Sequence, residues 1–209
     1  MKILALEFSS DQRSVVLVEG DQLLGSATED SPRRSTGMVL VDRALAEAHL
    51  KPTDVDIIAV DLGPGSYTGI RSAIAIAQGW QLARGTPLLG ITTVDLLARE
   101  AQQNQLFGDL TIIIDAQRKE IYAAELHISA SEIRPIAPLK IISLSALKPD
   151  GKIAGPSASQ LVPEALDLYP TAATLARISA TRFDYVPGEK LEPIYLRQTV
   201  FTKAPSPRF

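Results

Sequence analysis

The stretch DIIAVDLGPGSYTGIRSAIAIAQGW, residues 56–80, passes from an apolar segment through a glycine-rich loop into a second apolar segment. Residues 56–60 are predicted to form a strand that is too apolar to lie at the edge of a sheet. The glycines that follow allow the chain to bend sharply. A helix is expected over residues 69–83 and is ended by Gly85, so the stretch predicts a strand–loop–helix unit.

The segments on either side of this unit extend the pattern. In chain order they predict strands over residues 2–7, 14–19 and 22–28, a helix capped by Ser35 or Thr36, a strand over 87–91 and a helix over 93–103. Three antiparallel strands that lead into parallel strand–helix units predict an α/β protein, with a mixed sheet and helices packed on it. This is the lobe topology of the actin/Hsp70-like (ASKHA) fold.

An internal repeat predicts two lobes. Residues 111–126, TIIIDAQRKEIYAAEL, follow the same order as residues 3–19, ILALEFSSDQRSVVLVE: an apolar strand ending in an acid, a turn containing Gln-Arg, and a second apolar strand. The alternative is that any two β-hairpins look alike. We divide the chain into an N-terminal lobe, 1–104, and a smaller C-terminal lobe, 105–209. The second lobe is expected to be reduced, because 171–183 is its one clear helical stretch.

Composition excludes several classes of protein. The 209 residues include no Cys, which excludes disulfides and thiolate catalysis, and the two His residues are not paired in a metal-binding motif. No apolar run reaches the ~18 residues of a membrane span, and the apolar run at the start breaks at Glu7, too early for a signal peptide. We therefore expect a cytoplasmic protein without metal or cofactor. With a net charge of −3, the chain alone should bind tRNA poorly.

The glycine-rich loop has two interpretations. Backbone amides at a helix N-terminus suit an anion, which favours a phosphate loop. The alternative is a tight turn in which Ser66 or Thr68 caps the helix. The loop lacks the Lys of a Walker motif, which excludes a P-loop NTPase.

Two acids end neighbouring predicted strands. Glu7 and Asp61 are expected at the same sheet edge, with Asp115 facing them across a cleft, and such a set could hold magnesium or phosphate. The simpler interpretation is that the two strand-end acids are solvated. The candidate nucleotide or phosphate residues are Glu7, Ser9, Ser10, Asp61, Gly63, Gly65 and Ser66.

The helix after the loop is apolar nearly all round, which predicts burial on both sides. One side must cover the sheet, and the other is covered by this chain or by another protein. Small residues on the helix permit close approach of a second helix. The preceding helix also has a wide apolar face. The predicted interface residues are Met38, Val41, Leu45, Ile70, Ala73, Ile74, Ala77 and Trp80.

Three segments carry a resemblance to the TsaB/YeaZ family. The sequence GPGSYTGIRSAIAIAQGWQLARGTPLLGITTVDLLA, residues 63–98, is similar to the family's most diagnostic segment. IDAQRKEIYAAEL, residues 114–126, and EPIYLR, residues 192–197, fall where the matching family segments fall. This sequence departs from the family pattern at two places. It has Glu7-Phe8-Ser9 where many relatives have Asp-Thr-Ser, and Ser35-Thr36 where many relatives have a His.

The resemblance implies a noncatalytic accessory subunit. The family shares its fold with the catalytic subunit TsaD, binds it, and with the ATPase TsaE supports transfer of a threonylcarbamoyl group to the adenosine beside the anticodon of certain tRNAs. It also implies association through the first two helices, a homodimer when the chain is alone, and contact with tRNA only through the complex. The alternative function is an actin-like phosphotransferase that uses ATP and magnesium. A peptidase is disfavoured, since the chain lacks Cys, a His pair and a GxSxG motif.

Overall fold

The computed structural model describes residues 1–29, 36–148 and 150–196. Within them, the strands are β1 (Lys2–Glu7), β2 (Arg13–Glu19), β3 (Gln22–Glu29), β4 (Ile57–Asp61), β5 (Leu88–Ile91), β6 (Gly108–Asp115), β7 (Glu120–Ile128), β8 (Ile133–Ser143), β9 (Lys152–Gly155) and β10 (Leu166–Asp167). The helices are α1 (Gly37–Glu47), α2 (Tyr67–Arg84), α3 (Thr93–Gln103) and α4 (Ala172–Ser179). None of the helices in these residues is long and apolar enough to cross a membrane.

The first sheet has the strand order β3-β2-β1-β4-β5. Strand β1 is antiparallel to β2 and parallel to β4, and β4 is parallel to β5. This arrangement confirms the predicted mixed sheet of an actin/Hsp70-like lobe. Because β1 lies at the centre, both of its faces are buried, which explains why Ile3, Leu4, Ala5 and Leu6 form an unbroken apolar run.

Helices cover both faces of the first sheet. Leu4 and Leu6 face the core that α1 and α2 close, whereas Ile3 and Ala5 face the core that α4 closes. Gly85 ends α2 in the left-handed conformation, with φ of 72°, as the sequence predicts. Of the two predicted caps of α1, Thr36 takes the N-cap position without a side-chain hydrogen bond, and Ser35 lies outside the described residues.

The second sheet repeats the first. Its order is β10-β9-β6-β7-β8, in which β6 takes the place of β1, antiparallel to β7 and parallel to β9. The predicted duplication is therefore present in the strand pairing and not only in the hairpin. Helix α3 covers one face of this sheet through Leu97 and Ala101. Short turns that carry half-buried Leu144, Leu147 and Leu161 cover the other face.

The C-terminal segment differs from the sequence-based division at residue 104. Helix α4 packs on the first sheet through Ala172, Leu175 and Ala176, because their apolar side chains complete the core that α1 and α2 leave open on that side. The backbone N–H of Ile194 also donates to Leu62 O at 2.9 Å, so the chain returns to the first lobe. The predicted helix over 171–183 is shorter and ends at Ser179.

Candidate functional site

The glycine-rich loop packs tightly against the turn that follows β1. A Cβ atom on Gly65 would lie 2.3 Å from Ser9 O, and one on Gly69 would lie 2.0 Å from Phe8 O. The backbone N–H of Ser66 donates to Ser9 O at 2.7 Å, and Ser66 Oγ accepts from the backbone N–H of Gly69 at 3.4 Å. Close approach of two backbone segments therefore explains Gly65 and Gly69, and Ser66 is the helix cap.

Glu7 and Asp61 meet at the carboxyl ends of β1 and β4, inside the protein. Both residues are 0% exposed. Glu7 Oε1 accepts from the backbone N–H of Ser9 at 2.7 Å and from Ser9 Oγ at 2.6 Å. Asp61 Oδ1 accepts from the backbone N–H of Gly63 at 2.7 Å and from Thr93 Oγ1 at 2.8 Å. The predicted convergence of the two acids is thus correct.

Burial and proximity change the ionisation of this acid pair. Desolvation raises the pKa of Glu7 well above its usual value, and the nearby charge of Asp61 raises it further. Desolvation also raises the pKa of Asp61 from 3.8 to about 6, against hydrogen bonds from Gly63 and Thr93 that lower it. Glu7 Oε2 is buried and has no hydrogen-bond partner within the described residues. Burial therefore favours the protonated form of Glu7.

The simpler interpretation, two solvated acids at strand ends, is wrong. Phe8 is 0% exposed and packs beneath the start of α1, where a Cβ atom on Gly37 would lie 2.6 Å from its ring. The Arg13 guanidinium lies 5.4 Å from the centroid of the same ring. This packing closes the end of β1 to water. Thr93, the hydroxyl partner of Asp61, was missed because the sequence places it at the start of a helix without any further signal.

A cavity of about 660 Å³ lies between the two lobes. This interlobe cavity is lined by Ser9, Ser10, Asp11, Gly65, Ser66, Tyr67, Ile114, Asp115, Ala116, Gln117, Tyr122, Pro156, Ser157, Gln160 and Tyr195. It contains four of the predicted phosphate-site residues, Ser9, Ser10, Gly65 and Ser66. The other three, Glu7, Asp61 and Gly63, do not line it. Asp115 does line the cavity, so it does not form a three-acid set with the buried pair.

The cavity offers hydroxyls and acids more than cationic groups. Asp11 and Asp115 both line it, and Asp115 accepts from the backbone N–H of Gln117 at 2.7 Å. The backbone N–H groups of Gly63 and Ser66, which a phosphate loop would direct at an anion, are bonded to Asp61 and Ser9 instead. Over the described ranges, His, Asp and Glu side chains form no group of three that could hold a metal ion.

Most of the residues predicted to contact a partner are buried in the chain's own core. Seven of the eight are at most 8% exposed, because they face the chain's own first sheet. They are Val41, Leu45, Ile70, Ala73, Ile74, Ala77 and Trp80. Met38 alone among them is on the outside, 43% exposed. The helical spacing was read correctly, but it selected the inner side of each helix.

The outer sides of α1 and α2 expose apolar residues beside charged ones, which include Asp42, Arg43 and Arg71. The two helices meet where Gly37 of α1 approaches Ser72 and Ile76 of α2. Around this contact the exposed side chains include large apolar ones, with Leu82 91% exposed, and very small ones. We define the helical face as Met38, Val39, Ala75, Gly79 and Leu82. Small residues at its centre allow another helix to approach closely.

The sequence is similar to proteins of tRNA modification. The family model described as "TsaD: tRNA N6-adenosine threonylcarbamoyltransferase" matches residues 34–186. The tRNA threonylcarbamoyladenosine biosynthesis protein TsaB of Escherichia coli K12 is 34% identical over 127 residues, which cover 60% of this chain and 54% of that protein. TsaB of Haemophilus influenzae is 30% identical over 129 residues, 60% of this chain and 54% of that protein. The chain spans about half the length of the curated relatives it matches.

Two solved structures are similar over nearly the whole chain. YeaZ from Pseudomonas aeruginosa aligns with a TM-score of 0.79 at 27% identity, covering 93% of this chain and 99% of that chain. A structure described as an uncharacterized protein with similarity to peptidase YEAZ from Pseudomonas aeruginosa aligns with a TM-score of 0.80 at 28% identity, covering 94% and 99%. The likeness therefore includes both lobes.

Proposed function

We propose a function from the premise that this chain belongs to the TsaB/YeaZ family, within the proteins that the tRNA N6-adenosine threonylcarbamoyltransferase family model describes. The proposed role is that of a noncatalytic accessory subunit in the formation of threonylcarbamoyladenosine in tRNA. The relatives named TsaB are biosynthesis proteins of this modified nucleoside. The role would be exercised in the cytoplasm, where tRNA is modified.

The observation that carries the noncatalytic role is the burial of Glu7 and Asp61. A carboxylate that held magnesium would have to be ionised and to face the ligand. Here both acids are 0% exposed, and desolvation raises the pKa of each. Reaching the interlobe cavity would require breaking the hydrogen bonds with Ser9, Gly63 and Thr93. This burial supports the proposal that the pair stabilises the β1–β4 edge of the sheet.

The proposed partner of the helical face is the catalytic subunit TsaD. An exposed apolar surface with small residues at its centre fits a helical partner of the same fold. We further propose that the ATPase TsaE joins the assembly, that the chain alone forms a homodimer through the same face, and that tRNA is reached only through the complex. No cofactor is assigned to this chain.

Two arginine substitutions on α2 test the helical face. Ala75→Arg should leave the chain folded but weaken its association with TsaD by at least tenfold, because a long charged side chain would be buried against an apolar partner. The measurement is isothermal titration with TsaD, with circular dichroism to verify folding. Unchanged affinity in the folded Ala75→Arg protein would refute the face.

Ala73→Arg is the matched comparison. Ala73 is 0% exposed against the chain's own core, so the substitution should unfold the protein. If Ala73→Arg folds normally and loses only TsaD binding, the assignment of inner and outer sides is reversed.

The second candidate is an actin-like phosphotransferase, favoured by the interlobe cavity. Its volume of about 660 Å³ falls within the range of small-ligand sites. This function requires that the isolated chain binds Mg-ATP with a micromolar dissociation constant and that Asp115→Asn, on the cavity wall, weakens it. If calorimetry detects no binding of Mg-ATP, the phosphotransferase is refuted and the accessory role stands.

A further inference from the structure

Two tyrosine rings stand together at the mouth of the interlobe cavity. Tyr67 begins α2 and is 58% exposed, and Tyr195 is 54% exposed. Their ring centroids are 5.8 Å apart and their planes are tilted by 42°. Both residues line the cavity. More than half of each side chain faces water, so the pair presents aromatic surface that the fold itself does not cover.

A guanidinium lies on the same cluster. Arg71 Nη1 donates to Tyr67 Oη at 2.5 Å, and the Arg71 guanidinium carbon lies 5.1 Å from the centroid of the Tyr67 ring. Hydrogen bonding to Tyr67, and to Tyr195, raises the pKa of Arg71, so the group is always charged. Arginine has five N–H donors in a fixed fork, so it can bond Tyr67 and still bind a phosphate.

We call Tyr67, Arg71 and Tyr195 the aromatic cluster. The sign of the charge differs between this cluster, at the mouth of the cavity, and the cavity interior. Inside the cavity, Asp115 would repel a phosphate. Outside, Arg71 would attract one. A ligand with a flat aromatic group and a phosphate outside the cavity matches this distribution.

We propose that an unpaired RNA base stacks on Tyr67 and Tyr195 while Arg71 binds its phosphate. Exposed aromatic rings beside a cation are the means by which proteins hold single-stranded nucleic acid without reading its sequence. The inference rests on the proposed function, because the accessory subunit of a tRNA-modifying complex would meet unpaired nucleotides. It adds a direct RNA contact, too weak to bind tRNA by itself, that becomes effective within the complex.

The first test uses the full chain alone, at low ionic strength, with a short single-stranded RNA that contains 2-aminopurine. Stacking on tyrosine should quench the fluorescence of this base. The doubly substituted Tyr67→Ala/Tyr195→Ala chain should bind the RNA about tenfold more weakly, and the matched Tyr67→Phe/Tyr195→Phe chain should retain quenching. Equal quenching in the alanine and wild-type chains overturns the proposal. Equally tight binding of a free 2-aminopurine nucleotide also overturns it, because the ligand is then a mononucleotide.

The second test uses the complex assembled with TsaD. The alanine chain should assemble with unchanged mass and bind tRNA several-fold more weakly, whereas the phenylalanine chain should match the wild type. Failure of the alanine chain to assemble overturns the inference, since the cluster is then a protein contact. Failure of the wild-type chain to assemble refutes the proposed function alone, because the fluorescence test needs no partner.

Discussion

Glu7 and Asp61 make the stability of this protein depend on pH. A carboxyl whose pKa is raised on folding holds its proton more tightly in the folded state than in the unfolded chain. Stability is therefore complete below the unfolded pKa and is lost as pH rises through the folded one. For Asp61 the window runs from 3.8 to about 6. The free energy of unfolding should fall by ~3 kcal/mol across it, as measured by urea denaturation at a series of pH values.

The variant Glu7→Gln isolates the pair. The amide keeps the shape of the side chain and does not titrate, so the part of the decline that belongs to Glu7 should disappear. The part that belongs to Asp61, whose pKa is raised by desolvation, should remain. A wild-type stability that rises between pH 4 and pH 6 would contradict the raised pKa of Asp61.

At the scale of single residues, the sequence predicts where a residue lies in the sheet better than it predicts whether that residue is buried. Glu7 and Asp61 were placed at one sheet edge because they follow apolar strands, and that placement is confirmed. Their burial could not be read locally, since it depends on Phe8 packing under α1 and on Thr93 arriving from α3. Tyr67 and Tyr195 are 128 residues apart in the chain, so no local pattern joins them.

Two glycines of α2 should respond oppositely to alanine. A Cβ atom at Gly79 or at Gly85 would meet no other atom within 4 Å. Gly79 lies inside the helix, so Gly79→Ala should raise the free energy of unfolding by ~1 kcal/mol. Gly85 has a φ of 72°, so Gly85→Ala should lower it by ~1 kcal/mol. Urea denaturation of both variants at one protein concentration checks the signs, and a loss of stability in Gly79→Ala would contradict an open outer side of α2.

At the scale of elements, periodicity predicts a helix better than its orientation. Helix α2 has small residues on both sides: Ala73 and Ala77 are buried, and Ala75 and Gly79 are exposed. Composition alone therefore cannot tell which side of the helix faces the core. Strand β8 is not among the predicted strands, because Pro135 and Pro138 interrupt its pattern. Both are compatible with its place at the edge of the second sheet, where a backbone N–H is not needed on the outer side.

At the scale of the whole molecule, duplication is visible in the sequence but the path of the chain is not. The hairpins beginning at β1 and β6 share a pattern, and the two sheets share a pairing order. The return of α4 to the first sheet depends on an apolar surface that only the assembled sheet presents. A linear division therefore assigns α4 to the lobe that precedes it in sequence.

A cavity-forming substitution in α4 tests whether this helix stabilises the first sheet. Leu175 is 0% exposed in the core of the first sheet, so Leu175→Ala should lower the free energy of unfolding by ~2–5 kcal/mol. Because α4 covers β1, β2 and β4, hydrogen exchange should accelerate there more than in β7 and β8. Leu126→Ala is the matched control, since Leu126 lies in the core of the second sheet and should reverse that order. If Leu175→Ala accelerated exchange equally in both sheets, or first in β7 and β8, then α4 would not belong to the first lobe, because the helix would stabilise strands that it does not touch.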